Sequence, residues 1–386
     1  MRANGRAEAR TRAGLRGICW AAMACCALGA SEVKLALILA KTGIGADENL
    51  PAQNSAELAV AELNAAGGLL GRPIRLVLLD NASTPLGSKS AAEHAVSQGV
   101  IGVIGAFRSS HCLAMIPVIR EARIPMISPS ATNPEVTLGS PFIFRACFTD
   151  EFQGRALARF ARRDLGSGSA MVLTNMTENY SVGLVRTFVA SYRALGGQVV
   201  GEGEYQGNAV DFTAILATLK RLRPDVVFIP GYPRDSGLII SQAAGSGLHP
   251  VFLGADAWDV GRGVSQVAGS AMEGAYHSSQ WYADSPNPRN RALKRLYRKK
   301  FGPGSFSSMQ IPLTYDAVML FADAVKRANS LEPERIAEAL QRTRGFPGAT
   351  GAITFDQDRN PVGKEVSMLK FQGGAWHYFK SISLGR

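Results

Sequence analysis

From Val33 onward, short apolar runs of strand length alternate with longer stretches in which apolar residues recur at helical spacing. This alternation constrains the fold more than any other feature. Strands separated by helices cannot close as hairpins, so they pair in parallel and the helices cover both faces of the sheet. Strands are predicted at Val33–Ala40, Ile74–Leu79, Val100–Ile104 and Pro125–Ser128. Helices are predicted between them at Asn54–Ala66, Ser88–Gln98 and Cys112–Ala122; the first closes on Gly67-Gly68, a C-cap signal.

The pattern then starts again. Helices at Phe152–Arg163, Ser181–Leu195, Asp211–Leu222 and Gly237–Gly245 alternate with strands at Ala170–Leu173, Val199–Tyr205, Val226–Ile229 and Val251–Leu253. Two successive α/β units of similar size point to two lobes. The tail makes no third unit: helices at Asn290–Phe301, Leu313–Ala328 and Pro333–Arg344 precede strands at Ala352–Phe355, Val366–Phe371 and Trp376–Ser381. Helices first and strands last fit a chain that returns to each lobe in turn.

The first thirty residues follow another logic. Arg2, Arg6, Arg10, Arg12 and Arg16 precede an apolar run from Ile18 to Leu28, then the small residues Gly29, Ala30 and Ser31. Charge, short apolar core and small residues are the order of a secretory signal, and the run is too short to span a bilayer comfortably. Residues 1–30 are therefore expected to be a signal peptide, with export to the periplasm or cell envelope. Cleavage after the small residues and a lipid anchor at Cys25 or Cys26 are both compatible with the segment.

Of the net charge of +11, residues 1–30 contribute +4, which leaves +7 spread over the rest. The densest basic stretch, Arg289–Lys300, carries Leu293, Leu296, Tyr297 and Phe301 at helical spacing and is expected to be a solvated helix face. It lacks the interleaved aromatics of a nucleic-acid groove, so no nucleic-acid partner is expected. Only Cys112 and Cys147 lie beyond the signal. A disulfide and two free buried thiols both fit that pair. The five histidines form no ligand motif, and neither a metal nor a cofactor is expected.

In open parallel sheets, ligands bind beyond the carboxyl ends of the strands. That rule selects five loops: 105–110, 129–134, 174–180, 230–233 and 254–258. Ser109 and Ser110 stand where a helix begins, and free N–H groups with added hydroxyls suit a carboxylate. Thr132 offers a further donor, Asp256 a carboxylate for an ammonium, and Tyr180 and Tyr232 flat walls for a cleft. The same residues also have ordinary structural uses: the serines and Asp256 as helix caps, Ser130–Pro134 as a turn, and the tyrosines as packing.

Taken in order, several stretches resemble the branched-chain amino-acid-binding proteins of ABC importers. They are Asn64-Ala65-Ala66-Gly67-Gly68, Val103-Ile104-Gly105, Ser109-Ser110 and Ile127–Pro134, then Phe148-Thr149-Asp150 with Gln153-Gly154, Asp211-Phe212, Gly254-Ala255-Asp256 and Tyr315-Asp316-Ala317. The resemblance covers nearly all of residues 31–386. It implies a type I periplasmic-binding-protein fold with two doubly wound parallel-sheet lobes and a three-crossover hinge. Lobe 1 would comprise 31–149 and 281–348, and lobe 2 would comprise 150–280 and 349–386. By position, Ser109, Ser130, Ala131 and Thr132 resemble the family's carboxylate-binding residues, Asp256 its partner for the ligand ammonium, and Tyr180 and Tyr232 its second-lobe contacts.

Two residues depart from the leucine-binding pattern. Glu48 stands where such a binder has an aromatic residue, and Arg108 where it has a small apolar one; Ser83 and Arg108 occupy the positions of a disulfide found in some relatives. Either side chain can face solvent. Facing inward, they favour a polar or charged ligand, because a buried charge needs a partner. The resemblance implies a solute-binding component that captures an amino acid or analogue and delivers it to an ABC permease. A sensor of the same fold feeding a receptor is the alternative. An enzyme is not expected: there is no dinucleotide fingerprint, P-loop or nucleophile elbow, and His111 is the one candidate base near Ser109.

Overall fold

A computed structural model describes residues 31–261 and 263–384. The expectations for a signal peptide and a lipid anchor fall on residues 1–30, outside the described residues. The first half of the chain builds one α/β unit from β1 (Val33–Leu39), α1 (Ala46–Ala65), β2 (Ile74–Asp80), α2 (Pro85–Ser97), β3 (Val103–Gly105), α3 (Ser109–Ala122), β4 (Met126–Ser128), α4 (Glu135–Leu138) and β5 (Ile143–Arg145). Its five strands lie in the order β2-β1-β3-β4-β5, all parallel. β1 shows why: VKLALIL is buried at six of seven positions, as a strand covered on both faces must be.

The chain then crosses to a second unit. This contains α5 (Asp150–Arg159), β6 (Ser169–Asn175), α6 (Asn179–Ala194), β7 (Gln198–Tyr205), α7 (Thr213–Leu222), β8 (Val226–Ile229), α8 (Pro233–Gly245), β9 (Val251–Gly254), α9 (Ser265–Ala268) and β10 (Tyr276–Ser279). It returns through α10 (Pro288–Phe301), α11 (Gln310–Ala328), α12 (Pro333–Gln341) and the hairpin β11 (Phe346–Gly348) and β12 (Gly351–Ile353). A last crossing delivers β13 (Val366–Gln372) and β14 (Ala375–Ile382) to the second sheet, ordered β14-β13-β10-β9-β8-β6-β7, with β13 and β14 antiparallel. Asp316 of α11 braces the turn of the β11–β12 hairpin by accepting hydrogen bonds from the Ala349 and Thr350 N–H groups and the Thr350 hydroxyl.

The doubly wound architecture matches the sequence expectation, with differences at particular elements. α1 begins eight residues before the predicted Asn54. Pro51, which reads as a breaker, sits inside the helix and removes only the bond to the carbonyl of exposed Asp47. The segment after Arg159 is a five-residue π turn, Phe160–Asp164, not continued α-helix. On α10, Leu293 and Tyr297 are buried, but Leu296 is exposed. Cys112 and Cys147 are buried free thiols.

Candidate functional site

The carboxyl ends of β3, β4, β6, β8 and β9 converge where the two units face each other. Gly105, at the end of β3, has φ +114°, and an added Cβ would lie 2.1 Å from the Ile38 carbonyl oxygen. Only glycine lets the chain pass β1 this closely and turn into the loop that starts α3. Arg145 fixes the neighbouring loop. Fully buried, it donates to the carbonyls of Ala131 and Asn133, each at 2.8 Å, and to the Thr137 hydroxyl.

Between the units lies a cavity with about 340 Å³ of empty space. Glu48, Phe107, Arg108, Ser109 and Ser130 line it from one side, and Tyr180, Tyr232, Asp256, Ala257 and Val260 from the other; Asn49, Met309 and Gln310 complete it. Seven of the nine residues selected from sequence thus meet at one cavity. Ala131 and Thr132 are not in its lining. The Ala131 carbonyl is turned to Arg145, and Thr132 packs toward Asp150, whose N–H donates to its carbonyl at 2.9 Å.

Asp256 is buried and accepts hydrogen bonds from Gln153 Nε2 at 2.7 Å, the Tyr180 hydroxyl at 2.8 Å and Gln280 Nε2 at 3.2 Å. It caps no helix. Its three donors are neutral, and burial pushes its pKa up to about 6 against these hydrogen bonds. On the opposite side, α3 begins without a side-chain cap, so the N–H groups of its first turn have no helical acceptor. Ser109 is not a cap either: its oxygen accepts the Asn133 N–H at 3.2 Å. Ser130 donates to the Phe107 carbonyl at 3.0 Å. A carboxylate facing a positive helix end across one small cavity can hold both charges of a zwitterion.

Arg108 and Glu48 face inward, and they are each other's partners. Arg108 Nη2 donates to both Glu48 carboxylate oxygens at 2.8 Å, and Nη1 donates to Glu178 at 2.8 Å. The guanidinium also lies over the Tyr232 ring, 3.6 Å from its centroid. Burial alone would lower the Arg108 pKa, but Glu48, Tyr232 and Glu178 carry it above the usual arginine range. Glu48 lies in the first turn of α1 and Glu178 at the N-cap of α6, where helix dipoles favour negative charge. Glu178 also accepts from the Ser110 hydroxyl at 2.8 Å, so the cluster ties the two units together. The ligand is therefore not needed as a counter-ion for Arg108 or Glu48.

Sequence reasoning selected the loop that holds Glu178 but singled out only Tyr180 from it. An acidic residue opening a helix at a strand end was the available signal. Met309 and Gln310 left none, because they follow the second crossing and lie at no strand end. His111 does not serve Ser109: its ring Nδ1 meets Asn81 Nδ2 at 3.2 Å, and burial lowers its pKa to about 3. No group of three metal-ligating side chains occurs among the described residues.

Residues 32–375 match the periplasmic binding protein family. A Leu/Ile/Val-binding protein homolog of Brucella suis is 31% identical over 350 residues, covering 89% of this chain and 92% of that protein. A leucine-, isoleucine-, valine-, threonine- and alanine-binding protein of Pseudomonas aeruginosa is 30% identical, covering 86% of this chain and 87% of that one. The crystal structure of a leucine binding protein from Thermotoga maritima superposes with a TM-score of 0.86 at 33% identity, covering 91% of this chain and 98% of that one. These relatives are binding proteins and not enzymes. With its two doubly wound units and its three crossings, the chain belongs to the branched-chain amino-acid-binding group of the periplasmic binding protein family.

Proposed function

We propose that the protein captures an α-amino acid reversibly between its two lobes and delivers it to an ABC permease after export to the periplasm. The moving units are the first unit, built on residues 31–149 and 281–348 with the β11–β12 hairpin kept whole, and the second unit, built on residues 150–280 with β13 and β14; the boundary expected at 348/349 would divide that hairpin. The observation that carries this reading is Asp256, a buried carboxylate on the cavity wall whose three protein partners are all neutral. A ligand ammonium supplies the missing positive charge, while the N-terminal turn of α3 and the Ser109 hydroxyl receive the ligand carboxylate. Tyr180 and Tyr232 close over the ligand from the second lobe. Ala131 and Thr132 shape the loop from behind. No covalent step is involved; binding and closure are the whole cycle. The names of the relatives, which specify amino-acid binding, support the same ligand class.

Isothermal calorimetry with a panel of amino acids tests the reading. Asp256→Ala is expected to weaken amino-acid binding by about 2–5 kcal/mol. Unchanged affinity would remove Asp256 from the site. Native mass spectrometry of protein purified without denaturation should show a carried ligand that contains an amine.

A further inference from the structure

The capture reading leaves the size of the ligand open, and Arg108 bears on it. The inner cavity of about 340 Å³ stops at the Glu48–Arg108–Glu178 cluster. Beyond that cluster lies a second cavity, with about 960 Å³ of empty space, which shares Glu48, Arg108 and Tyr232 with the first. The walls of the outer cavity also carry Ile44, Asn175, Gln206, Asn208, Arg234 and Asp235. Arg108 is thus the partition between the two. It is held on both edges by carboxylates and on its face by Tyr232. Displacing it would strand two carboxylates whose side chains are only 13% and 11% exposed.

Resting on the capture reading, we propose that Arg108 is the specificity-determining residue: it ends the space for the ligand side chain and selects α-amino acids with short side chains. With the ammonium at Asp256 and the carboxylate at the start of α3, the lining left for a side chain includes Phe107, Val260 and Met309 with the amides of Asn49 and Gln310, and then the guanidinium. On this assignment, alanine, threonine and valine end in front of the wall, whereas leucine and phenylalanine run into it. An anionic side chain finds no free counter-ion, because the one guanidinium of the cluster is already engaged by two carboxylates.

Calorimetry with alanine, threonine, leucine and phenylalanine tests this on the mature protein freed of carried ligand. The wild type is expected to prefer alanine over phenylalanine by at least about 100-fold, a ratio within reach of pocket shape. A variant combining Glu48→Gln, Arg108→Ala and Glu178→Gln removes the wall without leaving a buried carboxylate unpaired, and its preference should fall below about tenfold. The same background with Arg108→Met keeps a side chain of similar length without charge, and should keep the preference. Leucine and phenylalanine binding to the wild type within about tenfold of alanine would overturn the proposal, whatever the variants do. So would an Arg108→Ala triple variant that retains the wild-type ratio, or an Arg108→Met variant that loses it. If no α-amino acid binds the wild type, the capture reading itself fails, an outcome distinct from unselective binding.

Discussion

Asp256 and Arg108 are both buried charges at one cavity, but they differ in what neutralises them. Arg108 has two carboxylates of its own, so its charge is settled within the fold. Asp256 has only neutral donors, so its charge is settled by a proton or by a ligand. Burial raises its pKa from 3.8 to about 6 in the folded protein. For a raised acid, the fold is favoured when the group is neutral: stability is full below 3.8, is lost as pH rises from 3.8 to about 6, and is constant above. Binding runs the other way, since an ammonium needs the ionised form. Amino-acid affinity is therefore expected to be constant from about pH 6 to about pH 7.5, where the ligand ammonium is still protonated, and to fall by up to about tenfold per unit below about pH 6. Asp256→Asn should flatten that profile, weaken binding at pH 7 and stabilise the ligand-free protein at the same pH. Titrations at pH 5 and 7.5, with thermal unfolding of both forms, check all three outcomes. Asp256 was legible in the sequence because it follows a strand of a parallel sheet. The pairing of Glu48, Arg108 and Glu178 was not, because residues so far apart in the chain meet only when the units face each other.

At the scale of elements, the strand ends place the chemistry, and their spacing depends on close backbone approaches. β3 can turn into α3 only because Gly105 lies against Ile38. Gly105→Ala is expected to destabilise the ligand-free protein by at least about 1–3 kcal/mol, since it combines a clash with a positive φ. Urea denaturation measures this, and an unchanged midpoint would show that β1 and β3 separate easily. Apolar runs such as VKLALIL announce their strands without help. β10 does not: YHSS is buried at His277, Ser278 and Ser279 although its composition is polar. Its neighbours supply what its side chains lack, with β9 and β13 on either side and the His277 ring against Trp376 at 4.2 Å. β5 and β11, at three residues each, are too short for any period to show. α1 extends N-terminally past its predicted start and through Pro51, whose missing N–H costs only the bond to the carbonyl of exposed Asp47.

At the scale of the molecule, several contacts draw the two units together, among them the Ser308 hydroxyl, which donates to the Asp259 carbonyl at 2.9 Å. Arg108 and Ser110 reach Glu178, Asn133 Nδ2 donates to the Asn179 carbonyl at 3.2 Å, and Gly261 packs against α1. An added Cβ at Gly261 would stand 2.7 Å from the Glu48 Cα. Gly261→Val is expected to hold the units apart and weaken binding by about 1–3 kcal/mol. Small-angle scattering should then show less compaction on adding amino acid than the wild type shows. Equal compaction would mean that closure does not pass through this contact. Strand–helix alternation, the return of the chain to each unit and the position of the loops that line the cavity were all determined by the sequence alone. Each depends on local periodicity, or on the rule that ligands meet parallel sheets at their carboxyl ends. Tertiary structure decided which way Glu48 and Arg108 point, that Glu178 joins them, and that Met309 and Gln310 complete the wall. These depend on how two separately folded units meet, and the contacts between them follow no period along the chain.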